Sequence, residues 1–430
     1  MSLERRTMRR VSMRLMPLLF GLYISAFIDR VNVSIAALQM NSELEFSSAA
    51  FGLGAGIFFL GYALCEVPSN LILLRVGARR WLARIAITWG VVASAMMFVR
   101  TPAQFYAMRF LLGVAEAGFF PGVIYYLSHW FPESHRARAL AVFVIAIPLA
   151  QAVGGPLGGA LLGLKGVGGL SGWQWLFLIE GLPPVVLGIL ALRYLTEHPR
   201  DADWLSQEQR HWLTQRIDRE RPLKAAPAPS SLSALKERLL WVITLPYFAF
   251  YTVALAFVFW TPLLLRDALH TSDGATAFIT GGISLGGAIA YPLAGMLSDH
   301  WDERCRVAAV GLLIGAVGCV GVALLPHSAL RIVALLSIQL CSALFMTSFW
   351  CLPTRFLAGS SAAAGIALVN TIGSTGGFFG PSIFGFLRQS GSDTAALFVL
   401  AGLELFGCIV CARLHRVAVF RPRRAAPTAA

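Results

Sequence analysis

The chain has 430 residues, of which 57% are hydrophobic and 13% are charged, and its mean hydropathy is +0.68. A soluble globular domain carries about 25% charged residues, so this composition excludes an ordinary soluble protein. Long unbroken apolar runs also exclude a transmembrane barrel, whose strands would alternate. The net charge of +13 collects in loops assigned to one side of a membrane, which indicates the positive-inside bias rather than a nucleic-acid partner.

Twelve apolar stretches have the length of about 20 residues that a membrane-crossing helix needs. We predict spans at 15–38, 50–74, 82–99, 104–128, 137–161, 173–196, 240–265, 276–298, 307–325, 330–354, 362–387 and 394–414. An even number of spans places both termini on one side. Arginines before span 1, after span 2 and after span 12 predict that this side is the cytoplasm. The sequence therefore indicates an all-α, multi-pass membrane protein.

The one long polar segment, 197–239, divides the spans into two groups of six. We expect an N-terminal six-helix bundle over 1–196, a cytoplasmic central loop, and a C-terminal six-helix bundle with a cytoplasmic tail over 240–430. Within the loop, Ser206 and Gln209 have the spacing of a capping box, which predicts a short surface helix.

The two groups of spans resemble each other at an offset of 225 residues. This offset aligns Gly155-Pro156 with Gly380-Pro381, and it aligns 70–79 after span 2 with 295–304 after span 8. Parallel repeats of six spans are typical of one large group of transporters, in which the substrate binds near the middle of the membrane.

Charged residues lie inside two of the apolar spans: Asp29 and Arg30 in span 1, and Arg109 and Glu116 in span 4. A charge near the bilayer centre costs about 2.5–3.5 kcal/mol even on the mild insertion scale, so such residues usually face a protein interior or a water-filled pathway. Arginine binds two carboxylate oxygens at once, and a carboxyl group can take up a proton. These four side chains are the minimum chemistry of a proton-coupled anion carrier.

Helix geometry predicts how these charges are oriented. Arg109 and Glu116 are seven residues apart and share one helical face, with Gly113 between them leaving room for a partner or a ligand. Pro121-Gly122 should loosen the helix beyond Glu116. The alternative is a purely structural salt bridge.

Because Asp29 and Arg30 are sequence neighbours, they point about 100° apart, so each needs a separate partner. The alternative for this pair is an anchor near the membrane surface.

The segment 295–304 resembles the cytoplasmic signature of the major facilitator superfamily. Asp299 and Arg304 match this signature, His300 replaces an arginine, and Leu74 stands where the first-half copy would have an aspartate. The resemblance implies a conformational role, and the alternative is a plain basic loop.

A narrower resemblance covers nearly the whole chain. The segments that carry it are Asp29-Arg30-Val31-Asn32, Gly61-Tyr62, Glu66–Asn70, Arg109–Gly122, Trp130–Pro132 and Gly172–Pro183. Together they resemble the anion:cation symporter family of that superfamily, which includes bacterial permeases for tartrate, galactonate, glucarate and phthalate. The sequence of spans 1 to 6 most resembles the tartrate-type permeases.

This resemblance implies a twelve-helix transporter that takes up a small organic anion with protons across a bacterial inner membrane. It implies that Arg30 and Arg109 bind the substrate carboxylate, and that Asp29 and Glu116 take part in proton coupling. Tyr62, Trp350 and Asn370 match positions of polar and aromatic pocket groups, with ordinary packing as the alternative. The resemblance does not separate hydroxy acids, sugar acids and aromatic carboxylates.

The Gly-Pro pairs of spans 5 and 11, Gly155-Pro156 and Gly380-Pro381, belong to small-residue faces that permit close helix approach, and we expect them to act in gating. The run in span 5 also resembles a signature of drug/proton antiporters, so drug efflux is an alternative function. A transporter-like receptor or a membrane enzyme is a further alternative.

No nucleotide-binding, metalloprotease or hydrolase motif occurs in the sequence. Cys408 and Cys411 have CxxC spacing but no His or acidic partners. We therefore expect no enzyme, cofactor or metal, and a monomer whose partners are the bilayer, protons and an organic anion. Glu66 and Glu180 should bond neighbouring helices, whereas Glu404 has no role that the sequence indicates.

Overall fold

The computed structural model describes residues 2–220, 237–301, 303–353 and 359–417. Within these ranges the regular structure is helical, with no strand. The first nine helices are α1 Leu3–Glu43, α2 Ser48–Val76, α3 Ala78–Ala95, α4 Pro102–Glu116, α5 Phe119–Ser128, α6 Glu133–Val144, α7 Ala146–Leu162, α8 Gly172–Tyr194 and α9 Gln207–Glu220. The remaining helices are α10 Arg238–Leu269, α11 Asp273–Trp301, α12 Arg304–Leu324, α13 Ser328–Phe349, α14 Gly359–Ser374, α15 Gly376–Gln389 and α16 Asp393–Leu414.

Ten helical segments of the described chain are long and apolar enough to cross a membrane, if α4 and α5 are counted together. The other two predicted spans, 137–161 and 362–387, are each built from two shorter helices, α6 with α7 and α14 with α15. These two composite spans hold the same place in each group of six. The predicted all-α, twelve-span architecture is confirmed.

Span 4 is interrupted directly after Glu116. The chain leaves helical geometry at Ala117, and Gly118 adopts a left-handed conformation with φ of 84° before α5 begins. Pro121 has no N–H to bond the carbonyl of Ala117, which is four residues earlier. The predicted loosening beyond Glu116 is therefore confirmed, but as a break between two helices rather than a bend in one. Glu116 ends α4.

Span 5 is interrupted more gently. α6 and α7 meet at Ile145, which keeps helical dihedral angles of −58° and −21°. Pro148 lacks the N–H that would bond the carbonyl of residue 144, so the hydrogen-bond ladder is broken while the chain direction is kept. In span 11, Thr375 joins α14 and α15 with similar angles of −62° and −23°.

The chain forms two compact units. Unit 1 comprises Met1–Phe46, Ile57–Pro227 and Thr271–Gly281, and unit 2 comprises Ser47–Gly56, Ala228–His270 and Gly282–Ala430. The start of α2 thus belongs to unit 2, and the start of α11 belongs to unit 1.

In unit 1, α8 packs closely along α3, and α1 packs on α7 and α8. The approach of α3 and α8 depends on glycine, because a Cβ at Gly90 or Gly181 would meet the backbone of the other helix. In unit 2, α12 packs on α13 and α16, and α10 packs on α15 and α16. Stacked aromatic rings fill the centre of unit 2. The ring centre of Phe345 lies 4.6 Å from that of Phe250 and 5.0 Å from that of Phe349.

The central loop contains the predicted surface helix, α9. The backbone N–H of Gln209 donates to Ser206 Oγ at 3.3 Å, and the N–H of Ser206 donates to Gln209 Oε1 at 3.2 Å. The predicted capping box is confirmed.

Candidate functional site

Arg30 of α1 is paired with Glu116 at the end of α4. Arg30 Nη2 lies 2.6 Å from Glu116 Oε1, and Arg30 Nε donates to the same oxygen at 2.8 Å. The Glu116 side chain is fully buried, whereas 18% of the Arg30 side chain is exposed. The second carboxylate oxygen, Oε2, has no hydrogen-bond partner among the described residues. A buried pair of this kind is stable only while both members are present.

Asp29 takes a different set of partners, as the geometry of sequence neighbours predicts. The indole N–H of Trp89 on α3 donates to Asp29 Oδ2 at 2.9 Å, and the amide of Asn32 donates to Oδ1 at 3.3 Å. Asp29 is only 1% exposed. Asp29 is therefore buried against α3 and does not pair with Arg30. Trp89 is not among the residues predicted from the sequence, because an aromatic residue in an apolar span usually indicates packing.

Arg109 lies in the same part of unit 1. It is 1% exposed, and its guanidinium carbon lies 5.0 Å from the centre of the Phe58 ring. The guanidinium carbon of Arg30 lies 5.7 Å from that ring and 5.1 Å from the ring of Tyr62. Glu116 and Asp29 both interact electrostatically with Arg109. We call Asp29, Arg30, Arg109 and Glu116 the charge cluster.

The space beside Gly113 is occupied by a helix and not by a cavity. A Cβ on Gly113 would overlap the carbonyl of Phe58 on α2, and a Cβ on Gly61 would overlap the carbonyl of Phe110 on α4. These two glycines bring the backbones of α2 and α4 together. Of the two possibilities that the sequence left open at Gly113, the structure shows a helix partner.

Glu180 and Glu404 are further buried carboxyl groups, 4% and 1% exposed. On the packed helices α1 and α8, Glu180 lies level with Asp29 and Asn32. Each carboxylate oxygen of Glu404 lies 3.9 Å from the thiol sulfur of Cys341. Glu180 is thus close to the charge cluster, and Glu404 is within unit 2.

Two of the predicted pocket residues, Trp350 and Asn370, meet in unit 2 through Tyr247. The hydroxyl of Tyr247 donates to Asn370 Oδ1 at 3.4 Å, and the Tyr247 ring lies 5.0 Å from the Trp350 ring. Gly373 makes room for Tyr247, because a Cβ there would overlap its ring. Tyr247 is not among the residues predicted from the sequence. Its signal is the pair of tyrosines, Tyr247 and Tyr251, four residues apart in an apolar span.

The predicted Gly-Pro pairs lie where helices touch. In unit 1, a Cβ on Gly155 would lie 2.7 Å from the backbone nitrogen of Gly281 on α11. In unit 2, a Cβ on Gly380 would overlap the carbonyl of Thr252 on α10, and the carbonyl of Pro381 accepts a hydrogen bond from Trp260 Nε1 at 3.1 Å. The predicted close helix approach is present at both pairs.

The second-half signature motif is described only in part. Arg304 Nη1 donates to Ser298 Oγ at 2.6 Å, and Ser298 Oγ lies 2.8 Å from Ser348 Oγ. The backbone of Asp299 is in α11, but its side chain and residue 302 lie outside the described part of the chain.

The first-half copy, which lacks the aspartate, obtains a carboxylate from elsewhere. Glu197, just after α8, accepts hydrogen bonds from the backbone N–H groups of Ala78 at 2.6 Å and Arg79 at 3.1 Å. It therefore caps the N-terminus of α3, where a negative charge is favourable. Gly77 precedes this helix with a φ of 96°, a conformation that glycine permits.

Within the described residues, no group of three or more His, Cys, Asp and Glu side chains is arranged to hold a metal ion. Cys408 and Cys411 are free thiols.

Comparison with known proteins agrees with this architecture. The sequence matches the Major Facilitator Superfamily over residues 18–381 and 263–429. A relative from Agrobacterium vitis, named "Putative tartrate transporter", is 43% identical over 99% of this chain and 98% of its own length. Another from Acinetobacter baumannii, named "Quinolone resistance transporter", is 38% identical over 97% of both chains.

A solved bacterial homologue of the human lysosomal transporter Spinster, in an inward-facing and unoccupied conformation, shares the fold. Its TM-score is 0.77 at 18% identity, covering 96% of both chains. The resemblance to tartrate-type permeases that the sequence indicates is confirmed by the relatives. The chain belongs to the Major Facilitator Superfamily and is a multi-pass membrane transporter rather than an enzyme.

Proposed function

We propose that this transporter imports a small organic anion together with protons. The observation that carries the proposal is the buried pair of Arg30 and Glu116, with Arg109 and Asp29 beside it. Two arginines provide binding sites for a carboxylate, and two carboxyl groups can take up and release protons. A salt bridge that had only to hold helices together would need one charge of each sign.

The pairing suggests how anion and proton are coupled. While Glu116 is ionised, it occupies the guanidinium of Arg30. When Glu116 takes up a proton, the ion pair is lost and Arg30 can bind a substrate carboxylate instead, with Arg109 as the second cation. Protonation of Asp29 lowers the negative charge around the same arginines. Anion binding and proton uptake therefore favour each other, which is the linkage that symport requires.

The substrate class that we propose is a tartrate-like hydroxy acid, a sugar acid or an aromatic carboxylate. The relative named for tartrate supports this class. We propose that Tyr62, Trp350 and Asn370 contact the non-acidic part of the substrate, because aromatic faces and an amide suit rings and hydroxyl groups.

Transport would proceed by alternating access, with residues 1–196 rocking against 240–430. The glycine contacts at Gly155-Pro156 and Gly380-Pro381 support a gating role, since helices without intervening side chains can slide or part with little repacking. Asp299 and Arg304 would stabilise one of the end states. We propose a monomer in a bacterial inner membrane with both termini in the cytoplasm.

Drug efflux by proton antiport is the second candidate, favoured by the relative named for quinolone resistance. The two functions differ in the direction in which a proton gradient drives the solute. Efflux would also leave Arg30 and Arg109 of the charge cluster without an anion to bind.

Uptake into proteoliposomes separates these functions. An acidic exterior should drive a labelled carboxylate inward in the wild type, and Arg30→Ala should abolish both its uptake and its binding. A thermal-shift screen against a panel of carboxylic acids identifies which carboxylate to label for this assay. Unchanged saturable uptake by Arg30→Ala would refute the role of Arg30, and proton-driven export of a lipophilic cation would favour efflux.

A further inference from the structure

Glu180 lies in the middle of α8, in the membrane-embedded part of unit 1, and is only 4% exposed. Neither of its carboxylate oxygens has a hydrogen-bond partner of normal geometry among the described residues. A buried carboxylate that lacks partners is costly, so such a group is either neutral or poised to change its charge. Because the proposed coupling scheme of the charge cluster does not use Glu180, this burial requires another explanation.

The groups around Glu180 can be named helix by helix. α8 packs against α1, α3 and α7. α1 and α8 run antiparallel, with Gly21 against Leu187 and Gln39 against Gly172, so Glu180 lies level with Asp29 and Asn32 of α1. The charged residues of α3 are three arginines in its first two turns, whereas Glu180 is beside its last turns, where the backbone of Ser94 meets Gly181. α7 has no ionisable residue.

Asn32 connects the two acids. Its amide donates to Asp29 Oδ1 at 3.3 Å, and Asn32 lies level with Glu180 of the neighbouring helix. Asp29 in turn keeps its bond from Trp89. Two buried carboxyl groups on packed helices, both close to one amide, repel each other strongly when both are ionised, so their protons come off in coupled steps that belong to the pair.

We propose that Glu180 is a further proton-carrying residue, which forms with Asp29, through Asn32, a carboxyl pair that binds and releases a proton in each transport cycle. The proton enters from the side on which the anion binds and leaves to the other side. This inference rests on the proposed proton-coupled uptake and adds a third acid to Asp29 and Glu116. Glu180 does not contact the substrate; it acts through Asp29.

Unit 2 provides a matched control. Glu404 follows Glu180 by 224 residues (404 − 180), one less than the repeat offset, and lies on the equivalent helix, α16. It is equally buried, but it faces a thiol and Gly315 instead of a second acid. Glu404→Gln therefore makes the same chemical change in the same kind of helix without removing a carboxyl pair.

The test uses full-length wild type, Glu180→Gln and Glu404→Gln in proteoliposomes, with a carboxylate that the wild type accumulates. Under an imposed gradient of about one pH unit, each coupled proton contributes about tenfold to the accumulation ratio. We expect Glu180→Gln to lower that ratio by about tenfold, while anion exchange without a gradient stays within about twofold. The pH midpoint of uptake should move about one unit lower, because Asp29 then loses a proton without an acidic neighbour. Glu404→Gln should leave both quantities unchanged.

Two further variants distinguish the loss of a proton-carrying group from a folding defect in Glu180→Gln. Asn32→Ala keeps both acids but breaks their connection, and it should also move the pH midpoint; Glu180→Asp should retain proton-driven accumulation. If Glu180→Gln and Asn32→Ala both keep the wild-type pH profile and accumulation ratio, Glu180 carries no proton and the inference is overturned. If the wild type itself shows no proton-driven accumulation, the proposed function fails first, and this inference fails with it.

Discussion

Unit 1 and unit 2 each bury a carboxyl group on the last helix of a six-span group, yet the two acids have different surroundings. Glu180 in unit 1 lies beside Asp29 of the charge cluster, whereas Glu404 in unit 2 lies beside the thiol of Cys341. We therefore expect the neighbours of a buried acid, and not its burial alone, to decide whether it takes part in transport.

The same contrast holds for the rest of the two units. Unit 1 holds the ionisable side chains of the charge cluster, in pairs of opposite sign. In unit 2 the predicted pocket residues Trp350 and Asn370 are neutral and meet around a tyrosine. We therefore expect energy coupling to depend on unit 1, and substrate fit to depend more on unit 2. Variants in one unit can be tested against matched variants in the other.

The largest effect is expected for Arg30→Ala. This change removes an arginine that we propose binds the substrate, and it leaves Glu116 buried without its partner. Breaking such a buried pair costs about 3–5 kcal/mol, which corresponds to a change of more than about a hundredfold in an equilibrium constant. Uptake and substrate-induced thermal stabilisation should both disappear. Arg331→Ala in unit 2 is the control and should retain both. Saturable uptake by Arg30→Ala at the wild-type level would show that Arg30 of unit 1 is not needed to bind the anion.

Glu116→Gln should separate coupling from exchange. The amide keeps the shape of the side chain but cannot carry a proton, so accumulation under a gradient of one pH unit should fall about tenfold for each coupled proton lost. Counterflow exchange should survive in part, and Glu404→Gln should behave like wild type in both assays. Equal loss of accumulation and exchange in Glu116→Gln would contradict a pure coupling role.

Trp350→Leu should change substrate fit without changing coupling. Loss of the aromatic ring that packs edge-to-face with Tyr247 should weaken substrate binding by about 1–2 kcal/mol, or about 5–30-fold in KM. The proton-to-anion ratio should stay at the wild-type value, which measurements of uptake with a pH-sensitive dye can check. A changed ratio would place part of the coupling in unit 2.

Gly380→Ala tests the close helix contact in unit 2. The added methyl group would overlap the carbonyl of Thr252, and overpacking of this kind costs about 1–3 kcal/mol. The purified variant should therefore unfold at a lower temperature than wild type. Gly402→Ala is the control, since nothing lies within 4 Å of the added atom. Equal unfolding temperatures for the two variants would show that α10 and α15 can separate freely.

Glu197→Ala should have the smallest effect. It removes the carboxylate that caps α3, and loss of a cap costs about 0.5–2 kcal/mol. A modest decrease in thermal stability with normal substrate affinity is expected. The control, Glu208→Ala on the exposed face of α9, should have the thermal stability and the substrate affinity of the wild type. A large loss of transport at normal stability would instead give Glu197 a role in conformational change.

The sequence predicted the features that depend on local chemistry. Apolar runs defined the spans, Ser206 and Gln209 defined a helix start, and Pro121 predicted the break that follows Glu116. Charges in apolar spans identified the charge cluster, because the cost of burying them is high wherever they lie.

Partners far apart in the chain could not be predicted in the same way. Arg30 and Glu116 are 86 positions apart, and neither Trp89 nor Tyr247 differs in sequence from an ordinary packing residue. Glu197 caps a helix that begins 119 positions earlier, which no local spacing encodes. These pairings depend on how the helices pack, and that packing follows from the shapes of many small residues together.

The most direct test of the central claim measures proton and anion movement together. Wild-type protein in proteoliposomes that contain a pH-sensitive dye should acidify the interior when the accepted carboxylate is added outside, and Arg30→Ala should abolish the acidification and the uptake together. Carboxylate entry with no accompanying proton would contradict the account, because the buried carboxyl groups around Arg30 would then have no part in transport.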